Sequence, residues 1–561
     1  MSHKTDQESN DLQDDAHAAS VIPESIADGV DEDVVEPNRR LFTGWQFVLF
    51  AALAIAYSSF HLISLNVYPM ETWSFRIVHI AGALILGYGL FSGARFADDD
   101  HQASGAWIKW LSYALLIPAA YTLAQVFVMY QTLSGGAMRI DPNIENWHYG
   151  YPLMATTATA IVLSWFYRQA QHRFNPADLV LMVCALASAG YLLVAYNTNI
   201  RMSTGTSFAP AGISWAAIAG SLLILELTRR VAGLALVVIS AVFLTYVFAG
   251  PYLPGFLGYP GLSLQRFFSQ VYTDAGILGP TTAVSSTYII LFIIFAAFLQ
   301  ASKVGDYFVN FAFAAAGRAR GGPAKVAIFA SGLMGMINGT SAGNVVSTGS
   351  LTIPLMKKVG YPSRSAGAIE AAASTGGQIM PPIMGAGAFI MAEVTGIPYT
   401  EIALAAVIPA ILYFASIYFM VDFEAARKGM RGMRKDEIPL FSKLVKQVYL
   451  FAPIIILIVA LFMGYSVIRA GTLATASAAV VSWLSPNKMG FLRGLNRRGY
   501  LADRCGRAFL VTATWLSGRE PTAGTSVRHA DQYSTRHGYA YYCCLCGGRF
   551  RGRSRLDQYR H

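Results

Sequence analysis

Long apolar runs separated by short polar segments fill most of the first 485 residues of the chain. Such runs have roughly 17 to 25 residues, the length that crosses a hydrocarbon core of about 30 Å. The predicted spanning segments are 42–65, 73–92, 107–131, 151–168, 177–196, 211–228, 231–250, 282–300, 400–421 and 449–468, with a further apolar piece at 470–485. The pattern predicts an all-α, polytopic integral membrane protein.

One apolar stretch, from Gly321 to Pro398, is interrupted repeatedly by Gly, Ser, Thr, Asn and Pro. Non-helical backbone survives at membrane depth only where it is buried in protein or lines a polar cavity. We therefore expect the working site of the molecule in this stretch.

Basic residues predict how this stretch is threaded, because they mark the cytoplasmic loops of membrane proteins. With the N-terminus in the cytoplasm, the pairs Arg39 with Arg40 and Arg229 with Arg230 fall inside. The same rule makes 326–355 a re-entrant hairpin that enters from the cytoplasm and returns, with its turn at 338–344. Segment 365–397 then crosses outward as a discontinuous helix.

The hairpin turn and the break in the next helix supply the candidate ion- and substrate-binding residues, because half-helix ends and freed carbonyls bind ions and small solutes. Their oxygen atoms suit a hard cation such as sodium. The alternative is that these small and hydroxylated residues serve only close helix packing. A polar turn and a Pro–Pro break in one stretch favour the ion site. The candidates are Asn338, Gly339, Thr340, Ser341, Asn344, Ser374, Thr375, Gly376, Gly377, Gln378, Pro381 and Pro382.

Ionisable residues inside spanning segments are functional candidates by default. Glu370, on the half helix that leads into the break, is a further candidate for the site. Glu226 lies three and four residues before Arg229 and Arg230, which predicts an interfacial ion pair. Glu393 is expected to be exposed to water.

A membrane-embedded enzyme is the competing class of function. It would need a nucleophile and base, or a paired acid, at helical spacing within the spans. His61 and His79 are predicted to be isolated core residues on apolar faces. We therefore expect no enzymatic activity and no cofactor, with sodium as the coupling ion.

The composition supports a membrane protein and argues against a nucleic-acid partner. Of the 561 residues, 54% are hydrophobic and 13% charged, whereas soluble domains carry about 25% charged residues. The net charge of +10 arises entirely after residue 486, since residues 1–486 carry 28 charges of each sign. Residues 1–38 are acidic and predicted to be disordered.

Two runs carry a family resemblance. AGNVVSTGSLTIPLMKKVGY at 342–361 and AGAIEAAASTGGQIMPPIMGAGAFIMAE at 366–393 resemble the large membrane subunit of the tripartite ATP-independent periplasmic (TRAP) transporters, most closely the fused permeases of the TAXI type. The motifs ILELTRRVAG at 224–233 and GGPAKVA at 321–327 are also similar. The resemblance covers about residues 180–486.

The resemblance implies a permease of the bacterial inner membrane that imports a small organic acid with sodium, delivered by a periplasmic TAXI-type solute-binding protein. It also implies an inverted-repeat, elevator-type fold. The family's hairpin-tip Gly-Ser followed by Asn corresponds to Gly339, Thr340 and Asn344. We expect sodium contacts at this tip and at the break, with the substrate between them.

The resemblance also predicts a division of the chain. Residues 39–230 would hold the fused small-subunit-like and scaffold helices, 231–448 the first repeat with hairpin and broken helix, and 449–486 the start of a second, incomplete repeat. Residues 487–561 do not fit the pattern. Their cysteines Cys543, Cys544 and Cys546 lack the spacing of a structural zinc site, so we expect none.

The last segment is explained better as an out-of-frame translation. Read from the second base of each codon, the codons from His537 onward permit Met-Gly-Met-Pro-Thr-Thr-Ala-Ala-Tyr-Ala, which resembles the second signature of the same family. A frameshift between roughly 484 and 500 would leave the matching half of the site unwritten in the protein. This chain would then be a truncated remnant that does not transport.

Resequencing the gene downstream of codon 484 tests this hypothesis. We expect a single-base insertion or deletion there, after which the restored frame encodes the second signature. A confirmed present frame, with no shifted signature downstream, would contradict it.

Overall fold

The computed structural model describes residues 38–96, 105–137, 139–195, 203–206, 208–302, 304–434, 438–439 and 441–484. The acidic segment before residue 38 and the segment 487–561, on which the disorder, zinc and frameshift predictions fall, lie outside these residues. Within the described ranges the chain is helical and forms no β-strand.

The first seven helices form the N-terminal half of the molecule. A seven-residue π-helical turn, Ile144–Gly150, precedes α5. The helices are α1 Gly44–Asn66, α2 Thr72–Leu90, α3 Ala106–Ala114, α4 Leu116–Ser134, α5 Tyr151–Phe166, α6 Pro176–Ala195 and α7 Ala211–Ala232.

Thirteen further helices follow in the described part of the chain. A π-helical turn, Ser285–Ile289, joins α10 to α11. The helices are α8 Leu234–Ala249, α9 Leu264–Val271, α10 Pro280–Val284, α11 Ile290–Ala301, α12 Val304–Ala316, α13 Gly322–Asn338, α14 Ser341–Lys358, α15 Ser363–Gly376, α16 Ala386–Thr395, α17 Tyr399–Arg427, α18 Phe441–Val445, α19 Ala452–Phe462 and α20 Val467–Leu484.

The predicted fold class, an all-α polytopic membrane protein, is confirmed. Among the described residues, eight helical segments are long and apolar enough to cross a membrane. They are Gly44–Asn66, Thr72–Leu90, Ala106–Ser134, Pro176–Ala195, Ala211–Ala232, Leu234–Tyr252, Pro280–Gln300 and Tyr399–Arg427. The inverted-repeat and elevator arrangement stays a prediction.

Two predicted segment boundaries are wrong near the end of the described chain. The segment predicted at 449–468 is shorter, because helix α19 ends at Phe462 and Gly464 follows in the left-handed conformation, with φ 83°. A left-handed residue ends a helix by turning the chain away from its axis. The next helix starts at Val467 rather than 470, so Gly471 lies inside it.

Helix α6 lies at the centre of the N-terminal half, where it contacts α2, α4, α5 and α7. Small and aliphatic side chains such as Leu181, Ala185 and Leu192 are completely buried there. The same core includes Tyr272 and Leu278, so the segment after α8 packs back onto the N-terminal helices. Helix α8 itself buries none of its residues.

A buried ion network closes one end of this half. Glu226 binds both Arg229 and Arg230 at 2.8 Å, which confirms the predicted ion pair. Arg230 also binds Asp178 at 2.7 Å, and Asp178 accepts a further bond from Arg40. The network therefore joins the chain just before α1 to α6 and α7, a connection that the local spacing of Glu226 did not predict.

The two histidines predicted to be isolated form a pair. Nε2 of His61 lies 2.9 Å from Nδ1 of His79, and Nδ1 of His61 donates to the carbonyl of Tyr57 at 2.8 Å. Nε2 of His79 lies 3.0 Å from the Ser285 hydroxyl. Both are buried and satisfied, as predicted, but the bond to Ser285 ties α1 and α2 to the segment that begins α11.

Substituting Asp178→Asn should destabilise the protein strongly. Arg40 and Arg230, whose side chains are 0% exposed, would lose their shared carboxylate. Breaking a buried ion pair by removing one partner typically costs about 3–5 kcal/mol. Thermal unfolding in detergent micelles measures the loss. The matched change Glu401→Gln removes an exposed carboxylate and should alter stability by no more than about 0.5 kcal/mol; equal effects of the two changes would contradict this account.

Candidate functional site

Helices α13 and α14 form a tight helical hairpin. Helix α13 has Pro323 in its first turn and ends at Asn338; the next residue, Gly339, has a left-handed φ of 60° and reverses the chain. Thr340 is extended, and α14 starts at the next residue. The turn is therefore shorter than the predicted 338–344, because Ser341 to Asn344 already form the first turn of α14.

The next helix is broken, as the sequence suggested. Helix α15 ends at Gly376, a single 3-10 turn covers Gly377–Ile379, and α16 resumes only at Ala386. Pro381 and Pro382 have no N–H group and cannot continue a helical ladder. The irregular segment is closed by a bond of 2.6 Å from the Gly385 N–H to the Gln378 carbonyl.

The hairpin tip and the break touch through glycine backbone. A Cβ added to Gly335 would lie 2.3 Å from the Cα of Gly377, and one added to Gly339 would lie 2.3 Å from the carbonyl oxygen of Met384. Only glycine permits such approaches. The tip and the break are therefore in direct contact at these glycines. The expected position of the substrate, between the tip and the break, stays a prediction.

Asn344 connects the three helices at this contact. Its Nδ2 donates to the carbonyl of Ser331 on α13 at 2.7 Å and lies 3.5 Å from the carbonyl of Ser374 on α15. The side chain is 0% exposed, and its Oδ1 has no hydrogen-bond partner. A buried acceptor of this kind is costly unless a cation or donor reaches it.

The Glu370 carboxylate lies between the same helices. It is 0% exposed and accepts hydrogen bonds from Ser331 at 3.1 Å and Ser374 at 3.2 Å. The hydroxyl groups of Thr348 and Thr352 also donate to it. In the described part of the chain, no Lys, Arg or His forms an ion pair with Glu370.

The remaining candidates divide into two groups. Gln378 carries a buried Nε2 with no partner, and Gly376 packs against the ring of Tyr413. Thr375, by contrast, is exposed and bonds to its own helix, and Asn338 faces Gln300 on α11 at 3.4 Å. The predicted residues that meet at the contact are Gly339, Asn344, Ser374 and Gly377. Gln378 lies in the 3-10 turn that packs on α13.

Pro381 and Pro382 face away from this contact, into an apolar cavity between the break, α17 and α19 that also includes Leu404 and Leu461. Tyr399, the first residue of α17, supports the break from that side. Its hydroxyl donates to the carbonyls of Pro382 at 2.8 Å and Ile383 at 2.6 Å.

Sequence reasoning missed Tyr399, Ser331, Thr348 and Thr352. The threonines follow Asn344 at intervals of four, a spacing that places all three on one face of α14 and could have indicated them. Tyr399 has no such signal, because nothing local distinguishes it from other aromatic residues at a helix start.

The base of the hairpin is tied to α17 by charge. Nζ of Lys325 on α13 lies 2.6 Å from the Asp422 carboxylate and 4.5 Å from the centre of the Tyr418 ring. Arg320 binds the same carboxylate at 2.6 Å. The hairpin is therefore fixed to α17 at its base, while its tip rests on the break.

More than half of the chain matches a known protein family. Residues 219–513 match the family described as "Tripartite ATP-independent periplasmic transporter, DctM component". The matched region includes the hairpin, the break and Glu370.

Three curated relatives share parts of the chain. An uncharacterized protein of Sinorhizobium fredii is 28% identical over 127 residues, 23% of this chain and 30% of that protein. The C4-dicarboxylate TRAP transporter large permease protein DctM of Pseudomonas aeruginosa is 28% identical over 142 residues, 25% of this chain and 33% of that protein. A TRAP transporter large permease protein of Haemophilus influenzae is 26% identical over 188 residues, 33% of this chain and 41% of that protein. The chain thus spans well under half the length of these relatives.

The substitution Gly339→Ala should destabilise the hairpin through its contact with Met384. Gly396 also has a left-handed φ, 71°, but nothing lies within 4 Å of an added Cβ, so Gly396→Ala is the matched control. We expect about 1–2 kcal/mol from the backbone conformation in both variants and about 1–3 kcal/mol more in Gly339→Ala from overpacking. Thermal unfolding in micelles compares them; equal losses of stability would contradict the contact.

Proposed function

The chain belongs to the family of the tripartite ATP-independent periplasmic transporter DctM component, and from that membership we propose that it is the permease component of a sodium-coupled secondary transporter. The proposed cargo is a small organic acid, delivered by a periplasmic solute-binding protein of the TAXI type. The proposed location is the bacterial inner membrane, with the N-terminus in the cytoplasm. The family is one of transporter components, so the competing class, a membrane-embedded enzyme, is set aside.

One observation carries this proposal: two buried polar atoms without partners lie where the hairpin meets the break. Oδ1 of Asn344 is an acceptor and Nε2 of Gln378 is a donor. A buried acceptor fits a sodium ion, which takes oxygen ligands, and a buried donor fits the carboxylate of an organic acid. An unmatched acceptor on the hairpin and an unmatched donor in the break support joint binding of a cation and an anion.

The packing of the hairpin supports the proposed movement. Asn344 and Glu370 join α13, α14 and α15 through buried bonds, so these helices would move as one body. In an elevator-type cycle this body carries the ion and the solute across the membrane together. The cavity beside Pro381 and Pro382 lies outside the polar contact and is lined almost entirely by apolar side chains, so it suits an organic acid poorly.

A second candidate function is that of a non-transporting remnant. It is favoured by the composition after residue 486, where 14 basic residues and 4 acidic residues replace the apolar pattern. In that case the gene descends from a transporter, and the apolar pattern expected of a second repeat is not continued after residue 486.

Uptake of a radiolabelled organic acid by proteoliposomes tests both candidates. A frame-restored version, supplied with the binding protein encoded beside the gene, should take up the acid when sodium is present outside and should stop when choline replaces it. The 561-residue chain in parallel liposomes should take up none if it is a remnant.

Uptake by the frame-restored version that is indifferent to sodium would contradict the sodium coupling. Uptake by the 561-residue chain at the restored version's rate would contradict the remnant. Liposomes without protein give the background for both measurements.

A further inference from the structure

We propose that Glu370 is the charged ligand of a buried sodium site, which lies two to three helical turns from the hairpin tip along α14. This proposal rests on the proposed function, because it assigns the coupling ion a binding place. It goes beyond the tip and break contacts in naming one carboxylate as the source of the site's charge.

The first argument is the unbalanced charge. Glu370 is completely buried, and within the described ranges its contacts are hydroxyl groups and not basic side chains. An ionised carboxylate in a low-dielectric interior is strongly unfavourable without a partner. Ionisable groups buried in membrane segments accordingly mark ion pathways or proton relays.

The second argument is the ligand set. Six oxygen atoms from three helices converge here: the two carboxylate oxygens of Glu370 and one hydroxyl oxygen from each of Ser331, Thr348, Thr352 and Ser374. Hard cations take oxygen ligands of these kinds. Because the donors come from α13, α14 and α15, an ion bound here would hold the hairpin and the broken helix together.

The third argument is that the Thr348 and Thr352 hydroxyl groups can switch roles by rotating their O–H bonds. The Thr348 hydroxyl lies 2.9 Å from the Asn344 carbonyl, and the Thr352 hydroxyl lies 3.0 Å from the Thr348 carbonyl. A hydroxyl has one proton and two lone pairs. With the site empty its proton points to Glu370; with sodium present the proton turns to the helix carbonyl and the lone pairs face the ion.

Asn344 favours a metal cation over a proton as the occupant. Its unpartnered Oδ1 is one turn from Thr348 on the same face of α14. A proton held by Glu370 can be donated to a single acceptor. A cation is coordinated by several oxygen atoms at once, so it suits the carboxylate and hydroxyl oxygens of this cluster together with the unpartnered amide oxygen.

The charge of Glu370 would then enforce coupling. When sodium is bound the site is neutral, and the hairpin body can cross the hydrocarbon. When sodium is absent the same movement carries an uncompensated carboxylate into a low-dielectric region, which is strongly opposed. Glu370 would thus prevent movement of the empty site.

Equilibrium binding of radioactive sodium to the purified 561-residue chain in detergent, at constant ionic strength with choline as the replacement, tests this site. Glu370→Gln keeps the size of the side chain and one accepting oxygen but removes its charge. We expect the half-saturating sodium concentration to rise at least about tenfold. Glu393→Gln, which removes an exposed carboxylate of α16, should leave it unchanged.

A second variant keeps the test decisive if Glu370→Gln does not yield a monodisperse, helical protein. Thr352→Val removes one ligand and retains the charge, so a smaller increase in the same direction is expected. Unchanged sodium affinity in the folded variants would overturn the proposal. So would an unaltered chain that binds no sodium but shows a carboxylic-acid infrared band that Glu370→Gln abolishes, because the occupant would then be a proton.

These outcomes are separable from those of the uptake experiment. Sodium binding that depends on Glu370, in a protein that takes up no organic acid, would contradict the transport function and leave the site intact. Sodium-dependent uptake that Glu370→Gln leaves unchanged would contradict the site and leave the transport function intact.

Discussion

Three helices of the interrupted region are held together by polar groups that have no access to water. Asn344 reaches across from α14 to the main chain of α13 and α15, and Glu370 collects hydroxyl groups from the same helices. Buried polar groups cost free energy unless they are matched. Each of these helices therefore depends on its neighbours for hydrogen bonds as well as for apolar contact, and the hairpin, the break and the candidate site form one unit.

In the N-terminal half of the molecule, the buried polar groups are matched in a different way. There the buried charges balance one another directly, since Asp178 and Glu226 lie against Arg40, Arg229 and Arg230. Glu370, by contrast, is matched by hydroxyl groups and by no opposite charge among the described residues, which is the arrangement that the proposed sodium site requires. The two arrangements suit a static part and a part that exchanges its partner.

The features that could be predicted from the sequence are those that a short stretch of residues determines. Spanning helices, the Gly339 reversal and the break at Pro381 and Pro382 follow from composition and from the backbone properties of glycine and proline. The Glu226 pair with Arg230 follows from a spacing of four. These features need only a short window of sequence.

The rest could not be predicted because it depends on which helices become neighbours. His61 and His79 lie on different helices, and Asp178 is 52 residues from Arg230. The sequence shows a threonine at Thr352 but does not show whether its hydroxyl group bonds within its own helix or to Glu370. Tyr399 supports the break only because α17 folds back onto it. Such contacts are fixed by packing across the whole bundle and leave little trace in any local pattern.

The exposure and the short length of helix α8 affect how the protein sits in the bilayer. It buries none of its 16 residues, and at 1.5 Å per residue it is about 24 Å long, shorter than a typical hydrocarbon core of about 30 Å. A span shorter than the hydrocarbon core is accommodated by local thinning of the bilayer rather than by tilt. Since α8 follows directly on the N-terminal helices and leads toward the site, lipid chain length acts at the junction between the two halves of the molecule.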